Sequence, residues 1–381
     1  MNDSPAAGLA PFYAMEMSGR AKMLEAEGRS ICHLEVGEPS VPPAPAVLDA
    51  VSRALHAPQG YTHAMGRIEL RRALAGYYRD RHGVEADPEA ILVTLGSSSA
   101  FILSFLAAFT PGSRIAVTRP GYPAYLNTMA GLGFAAVEIP VRAESGWRLT
   151  AEDIAAAYRK TPFEGLLFAS PANPTGATVG RGEFAAIVET CRRLGVRLLS
   201  DEIYHGLEYG PSSPSALEFT DSAIVINSFS KYYCMTGWRL GWMVVPPDLV
   251  RKAEMLQQSL FIAAPTLSQI AGEAALRERG YFEGVKAGYA RNGKILLDGL
   301  ARLGFGSVGS SDGAFYAYVD VRKFSNDSMA FCRDLLERAG VCITPGVDFD
   351  RRDGHNFVRL SYAGSEATIT EALARIGRYL L

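Results

Sequence analysis

The sequence predicts an α/β chain: a large domain built on a mostly parallel seven-stranded sheet flanked by helices, joined to a smaller α+β domain. From about residue 90, short apolar and β-branched runs alternate with amphipathic helical stretches, the pattern of a parallel sheet covered on both faces. A long helical block follows, and strand-like runs return only beyond residue 300. The 381 residues are 48% hydrophobic and 20% charged, which suits an ordinary globular chain of one very large domain or two unequal ones.

Strands of the large sheet are expected at residues 91–94, 114–118, 134–139, 165–169, 196–200, 224–227 and 240–245. Between the fourth and fifth, Phe184, Ile187, Val188, Cys191 and Leu194 share one face of a helix, the simplest crossover. Residues 247–303 read as helical, with breaks near Pro265 and Gly280. Strands are expected again at residues 314–319, 341–344 and 357–362, and the last helix carries Ile369, Leu373, Ile376 and Leu380 on its apolar face. This succession divides the chain into residues 46–285 and a discontinuous small domain of residues 1–45 with 286–381, the boundary falling inside a helix of residues 281–303.

Charge and composition exclude several classes of function. Lys+Arg 38 against Asp+Glu 40 leaves a formal charge of -2, so no global basic field exists to hold a nucleic acid or an anionic membrane. The longest mostly apolar run, residues 100–109, falls well short of the roughly 20 residues of a spanning helix. The first thirty residues carry Asp3, Glu16, Glu25 and Glu27 and no signal-peptide core, so a cytoplasmic protein is expected. Cys32, Cys191, Cys234, Cys332 and Cys342 are odd in number and lack C-x-x-C spacing. They read as reduced thiols, with neither a disulfide frame nor a metal site.

Ligands of open α/β sheets bind beyond the carboxyl ends of the strands, and five turns there are unusual. Gly96-Ser97-Ser98-Ser99 opens an apolar helix, so N–H groups, hydroxyls and the positive helix end face one point, an anion cradle. Arg119-Pro120-Gly121-Tyr122-Pro123 is a stiff turn that fixes an aromatic ring. In Ser170-Pro171-Ala172-Asn173-Pro174-Thr175-Gly176, two prolines hold Asn173 extended. Asp201-Glu202-Ile203-Tyr204 and Ser228-Phe229-Ser230-Lys231 complete the set.

Taken singly, each turn has an ordinary reading: serines cap helices, Asp and Asn suit turns, and lysines are usually solvated. Five polar turns on one sheet edge converge, whereas independent caps have no reason to share it. Lys231 also stands apart from the other six lysines, which sit in expected helices or beside polar loops. It lies among small hydroxyls and aromatics near Arg239, where partial burial favours the free amine that imine formation needs. A lysine, an upstream aspartate and a phosphate cradle are the three parts that pyridoxal phosphate requires.

With these residues the chain resembles the fold-type I pyridoxal-phosphate enzymes, specifically the class I/II aminotransferases. Ser228-Phe229-Ser230-Lys231 is followed by Thr236-Gly237-Trp238-Arg239-Leu240-Gly241, a highly specific pair. Asn173-Pro174-Thr175-Gly176, Asp201-Glu202-Ile203-Tyr204 and Val36-Gly37-Glu38-Pro39 stand in the family's order, and the likeness runs from about residue 30 to the end.

The resemblance implies amino-group transfer from an α-amino acid to a 2-oxo acid by a ping-pong cycle. Lys231 would hold the cofactor as a Schiff base and shuttle the substrate proton, and Asp201 would pair with the pyridine nitrogen. Tyr204 and Asn173 would hydrogen-bond the phenolic oxygen, Asn173 also bordering the substrate. Ser97, Ser98, Ser228, Ser230 and Arg239 would hold the phosphate, and Tyr122 would stack on the ring. Tyr61 matches a tyrosine that reaches the neighbouring subunit's phosphate, which implies a homodimer with composite sites. Arg359 would grip the α-carboxylate, with the backbone at Val36 and Gly37 closing over it.

Other readings use the same residues less completely. A β-eliminating or C–S lyase activity would employ the same lysine and aspartate. A serine hydrolase with Ser98 as nucleophile and His355 as base explains neither Lys231 nor Asn173. Gly131-Leu132-Gly133-Phe134-Ala135-Ala136 mimics a dinucleotide fingerprint but precedes a strand. A DNA-binding module has no room before the family match, and that segment is not basic. A second arginine for a distal carboxylate is not assignable, and the apolar segment Ser259-Leu260-Phe261-Ile262-Ala263-Ala264-Pro265 suggests a neutral or aromatic side-chain pocket.

Overall fold

The computed structural model describes residues 8–306 and 312–381. In chain order its strands are β1 (Cys32–His33), β2 (Ile91–Thr94), β3 (Arg114–Arg119), β4 (Ala135–Pro140), β5 (Gly165–Ala169) and β6 (Arg197–Asp201). Then come β7 (Ile224–Ser228), β8 (Gly241–Val244), β9 (Tyr316–Asp320), β10 (Val341–Cys342), β11 (Thr344–Pro345) and β12 (Phe357–Ser361).

Seven of these make the expected mostly parallel sheet, in the order β2-β8-β7-β6-β5-β3-β4. Only β8 runs antiparallel to its neighbours β2 and β7. The segment joining β7 to β8 holds no α-helix, so the chain returns antiparallel instead of crossing over. Alternation along the strands then fills two cores: Leu166, Leu198 and Val225 face one, and Leu167, Leu199 and Ile226 face the other. The helix Arg181–Leu194 covers one face with Phe184, Ile187, Val188 and Cys191, and stops at Gly195, whose φ of 68° suits a residue without Cβ.

Several boundaries differ from expectation. Arg119, Asp201 and Ser228 are the last residues of β3, β6 and β7 instead of the first beyond them, because their backbones still pair, Asp201 with Ala169 and Ile226 and Ser228 with Gly241. The block of residues 247–303 is three helices, Val250–Leu260, Thr266–Ala275 and Arg279–Arg302. The strand expected at residues 341–344 is two, β10 and β11, which join different sheets.

Beyond the large sheet, β11-β12-β9 form an antiparallel trio, and β1 pairs in parallel with β10 through Cys32 and Val341. The N-terminal segment is thereby stitched to the C-terminal part. The closing helix Glu366–Leu380 buries Ile369, Ala372 and Ile376, and Ser365 caps it by accepting from the Thr368 N–H.

Candidate active site

The carboxyl ends of β2, β3, β5, β6 and β7 open on one cleft of about 280 Å³. Ser97, Ser98, Tyr122, Asn173, Asp201, Tyr204, Ser230, Lys231, Arg239, Gly37 and Arg359 all line it. The turn chemistry read from the sequence therefore converges.

At the start of the helix Gly96–Ala108, Ser99 is turned inward and accepts from the Leu95 N–H at 2.8 Å, leaving Ser97 and Ser98 on the cleft. Gly96 has φ +70°, and a Cβ there would come within 2.7 Å of an Arg239 Nη2. Glycine thus lets the guanidinium lie against the helix N-terminus, where N–H groups and positive charge suit an anion. Ser228 does not line the cleft. Its hydroxyl packs behind, 2.8 Å from Ser230 Oγ and 3.0 Å from the Leu240 carbonyl.

Lys231 Nζ donates to the Gly37 carbonyl at 2.6 Å. Burial, helped by the Arg359 charge, lowers its amine to about 8, near enough to neutrality to supply the free base. Asp201 is 3% exposed, and burial pushes its carboxyl up to about 6. Opposing that rise, its Oδ1 accepts from the Ile203 N–H at 3.1 Å and its Oδ2 from the Tyr125 hydroxyl. The Tyr204 and Tyr316 hydroxyls are bonded at 2.8 Å, and burial holds Tyr204 well above the ordinary phenol range.

Arg359, on β12, is 4% exposed. Its Nη1 donates to Asn173 Oδ1 at 2.9 Å and its Nη2 to the Glu35 carbonyl at 2.5 Å. The guanidinium carbon lies 4.4 Å from the Tyr316 ring centre and 4.6 Å from that of Phe349. None of these partners carries a formal negative charge, and Arg359 Nε is buried without a partner among the described residues. A buried cation held only by neutral groups is poised for an incoming anion.

Several expected residues lie elsewhere. Tyr61 is 85% exposed, beside the bond from the Thr266 hydroxyl to the Gly60 carbonyl, and does not reach its own chain's cleft. The apolar segment 259–265 is not a wall of this cleft either. It bridges two helices near the same Gly60 contact, with Leu260 and Ile262 about half exposed. His355 sits exposed in the turn Gly354–Asn356, away from the cleft, so it gives Ser98 no base for a hydrolase.

The cleft also includes residues that sequence reasoning missed: Phe12, Met15, Tyr125, Tyr316, Asp348 and Phe349. Asp348 accepts from the N–H groups of Tyr13 and Ala14, pinning the start of the helix Tyr13–Ala26 beside the opening. Only Tyr125 left a local signal, standing three residues after Tyr122 on the helix Pro123–Gly131.

These donors fit pyridoxal phosphate. A helix N-terminus with two serines and an arginine suits its phosphate, a buried carboxylate suits its ring nitrogen, and a buried amine suits its aldehyde.

Comparison with known proteins points the same way. Residues 29–376 match the family model of aminotransferase class I and II. Valine–pyruvate aminotransferase of Mycobacterium tuberculosis is 45% identical over 379 residues, covering 98% of this chain and 97% of that protein. A crystal structure of an aminotransferase from Mycobacterium tuberculosis superposes with a TM-score of 0.96 at 43% identity, covering 100% of this chain and 99% of that one. A structure of Thermus thermophilus aspartate aminotransferase gives 0.93 at 30% identity, covering 99% and 98%.

Proposed function

Because the chain belongs to the class I and II aminotransferases, we propose that the cleft at the strand ends is its transamination site and that its amino donors carry neutral side chains. The chain is a pyridoxal-phosphate-dependent enzyme that moves an amino group from an amino acid to a 2-oxo acid. One observation carries the site: Lys231 and Arg239 from the β7–β8 connection, Asp201 from the end of β6 and Arg359 from β12, three separate segments, line a single cleft.

When bound, pyridoxal phosphate supplies an electron-accepting ring and carries the amino group between the two halves of a ping-pong cycle. Lys231 would hold it through Nζ, and its free amine would be placed to move the proton at the substrate Cα. Its lowered basicity suits both tasks. Asp201 would pair with the ring nitrogen and keep it protonated. Tyr204 and Asn173 would hydrogen-bond the phenolic oxygen, and Tyr122 would face the ring. Ser97, Ser98, Ser230 and Arg239 would hold the phosphate, with Ser228 propping Ser230 from behind. Arg359 takes the α-carboxylate on its buried fork, and the Gly37 backbone closes beside it.

The neutral-side-chain reading follows from charge. Among the described residues lining the cleft, the cations are Lys231, Arg239 and Arg359, and each already has a task. The remaining wall offers Phe12, Met15 and Phe349, with Glu38 and Asp348 as acids that would repel a second substrate carboxylate. A relative named for valine and pyruvate supports the same class.

Three further readings accompany this one. A homodimer would cover exposed Tyr61, Met255, Leu260 and Ile262 and bring Tyr61 to the second copy's phosphate. Residues 46–285 act as the large domain, and residues 1–45 with 286–381 as the small one, supported by the pairing of β1 with β10. A cytoplasmic setting agrees with five buried free cysteines, and no helix among the described residues is long and apolar enough to cross a membrane.

The test is a panel of amino acids added to the loaded protein, following the cofactor's absorbance and the 2-oxo acid formed. Valine-like donors should convert the cofactor and aspartate should do so poorly. Preference for aspartate would overturn the neutral-donor reading, and release of ammonia with pyruvate in place of amino transfer would indicate elimination.

A further inference from the structure

The Asp201 carboxylate has two protein partners, and neither is charged. The Ile203 N–H lies on its own turn, while the Tyr125 hydroxyl arrives from a different element, the helix Pro123–Gly131. Tyr125 is 4% exposed, and its ring is held edge-on by Phe101 at 5.2 Å and 72° and by Tyr122 at 5.4 Å and 89°. A ring clamped on two sides has little freedom, so its hydroxyl is aimed before any ligand arrives. Burial also holds this phenol well above its ordinary range, so it remains a donor at every working pH.

We infer that Tyr125 is a positioning residue for the transamination site: its hydroxyl, anchored by Phe101 and Tyr122, fixes the Asp201 carboxylate toward the cofactor's ring nitrogen. The inference rests on reading Asp201 as that nitrogen's partner. The tyrosine acts through Asp201 and needs no contact with substrate. It also links two sides of the cofactor site through one helix, since Tyr122 at its start is the ring-facing residue and Tyr125 lies one turn on.

The titratable groups facing Asp201 are Tyr125 and Tyr122 from this helix and Lys231 from the turn after β7. Burial pushes Tyr122 up to about 12, and Lys231 is lowered to about 8, so neither falls in the acid range where Asp201 titrates. The Tyr125 hydrogen bond lowers the Asp201 pKa, and its loss must therefore raise that pKa. An acid-side change between variant and parent then reports Asp201.

The experiment compares the full-length parent with Tyr125→Phe, Tyr125→His and Asp201→Ala. Pyridoxal phosphate is rebound to each apoprotein across the acid range and followed by tryptophan fluorescence, and kcat and KM are measured on the loaded forms. For Tyr125→Phe, cofactor affinity and kcat should each fall about tenfold, as expected for a lost hydrogen bond to a charged group, with KM changed by less than about threefold. The acid midpoint of rebinding should move to higher pH, and Tyr125→His, which restores a donor, should recover part of both losses.

An unmoved midpoint with unchanged kcat would overturn the inference, as would a loss of activity that only tracks a fall in melting temperature. Asp201→Ala separates the two ways of failing. If it binds cofactor and turns over like the parent, the Asp201 reading is itself wrong. If it is crippled while Tyr125→Phe behaves normally, only the role of Tyr125 falls.

Discussion

The surroundings of Arg359 and Arg239 differ in almost every physical respect, although both arginines line the same cleft. Arg359 is buried, lies between two aromatic rings and is bonded to Asn173 and to the Glu35 carbonyl. Arg239 is exposed, has a left-handed backbone at φ 53° and is tied at 2.9 Å to the Thr236 carbonyl of its own turn. The first site is assembled from distant segments and fixes its guanidinium before an anion arrives. The second is local and solvated, and relies on the neighbouring helix N-terminus for much of its pull. A tightly specified carboxylate grip and a broader phosphate cradle are the expected consequence.

Substitution should separate the two sites. The largest effect is expected for Arg359→Ala, which removes a buried cation and strands Asn173 Oδ1: KM for amino acids should rise about a hundredfold with cofactor affinity preserved. Steady-state kinetics with a parallel cofactor titration checks this, and an unchanged KM would mean that the α-carboxylate binds elsewhere. Arg359→Lys should still cost about tenfold, because an ammonium cannot reach both acceptors while lying flat between the rings. Full rescue by lysine would show that charge alone is read there.

Arg239→Ala should weaken cofactor binding by about three- to tenfold and leave amino-acid KM nearly unchanged, since an exposed charge contributes less. Equilibrium dialysis of cofactor measures it. A loss as large as that at Arg359 would erase the contrast. Smallest of all is the salt effect: raising ionic strength to about 0.15 M should loosen cofactor binding by a few-fold while substrate KM moves less, because screening acts on exposed charges first. Equal responses would place both arginines in similar dielectric surroundings.

The same contrast explains what the sequence revealed. Turns at strand ends are local, so Gly96 to Ser98, Asn173, Asp201 and Lys231 were readable from neighbours along the chain. Arg359 needed family resemblance, because its partners Glu35 and Asn173 lie 324 and 186 residues away. Asp348 gave no signal at all. Its partner Tyr13 is 335 residues distant, and an aspartate in a loop looks like any turn residue. Phe12 and Met15 are held at the cleft by that contact and by the packing of Phe12 against Tyr122, and apolar periodicity alone marks core without saying which core. The segment 259–265 behaves differently: its apolar character was legible, but it does not line its own chain's cleft, and Leu260 and Ile262 stay about half exposed.

Of the seven lysines, Lys231 alone is expected to hold the cofactor. Borohydride reduction of the pyridoxal-phosphate-loaded protein, followed by digestion and mass mapping, tests it directly. The expected result is a single phosphopyridoxyl group on Lys231, installed faster as pH rises toward about 8, where the lowered amine loses its proton. A label on any other lysine, on several at once or on none would show that Lys231 is not the cofactor's anchor.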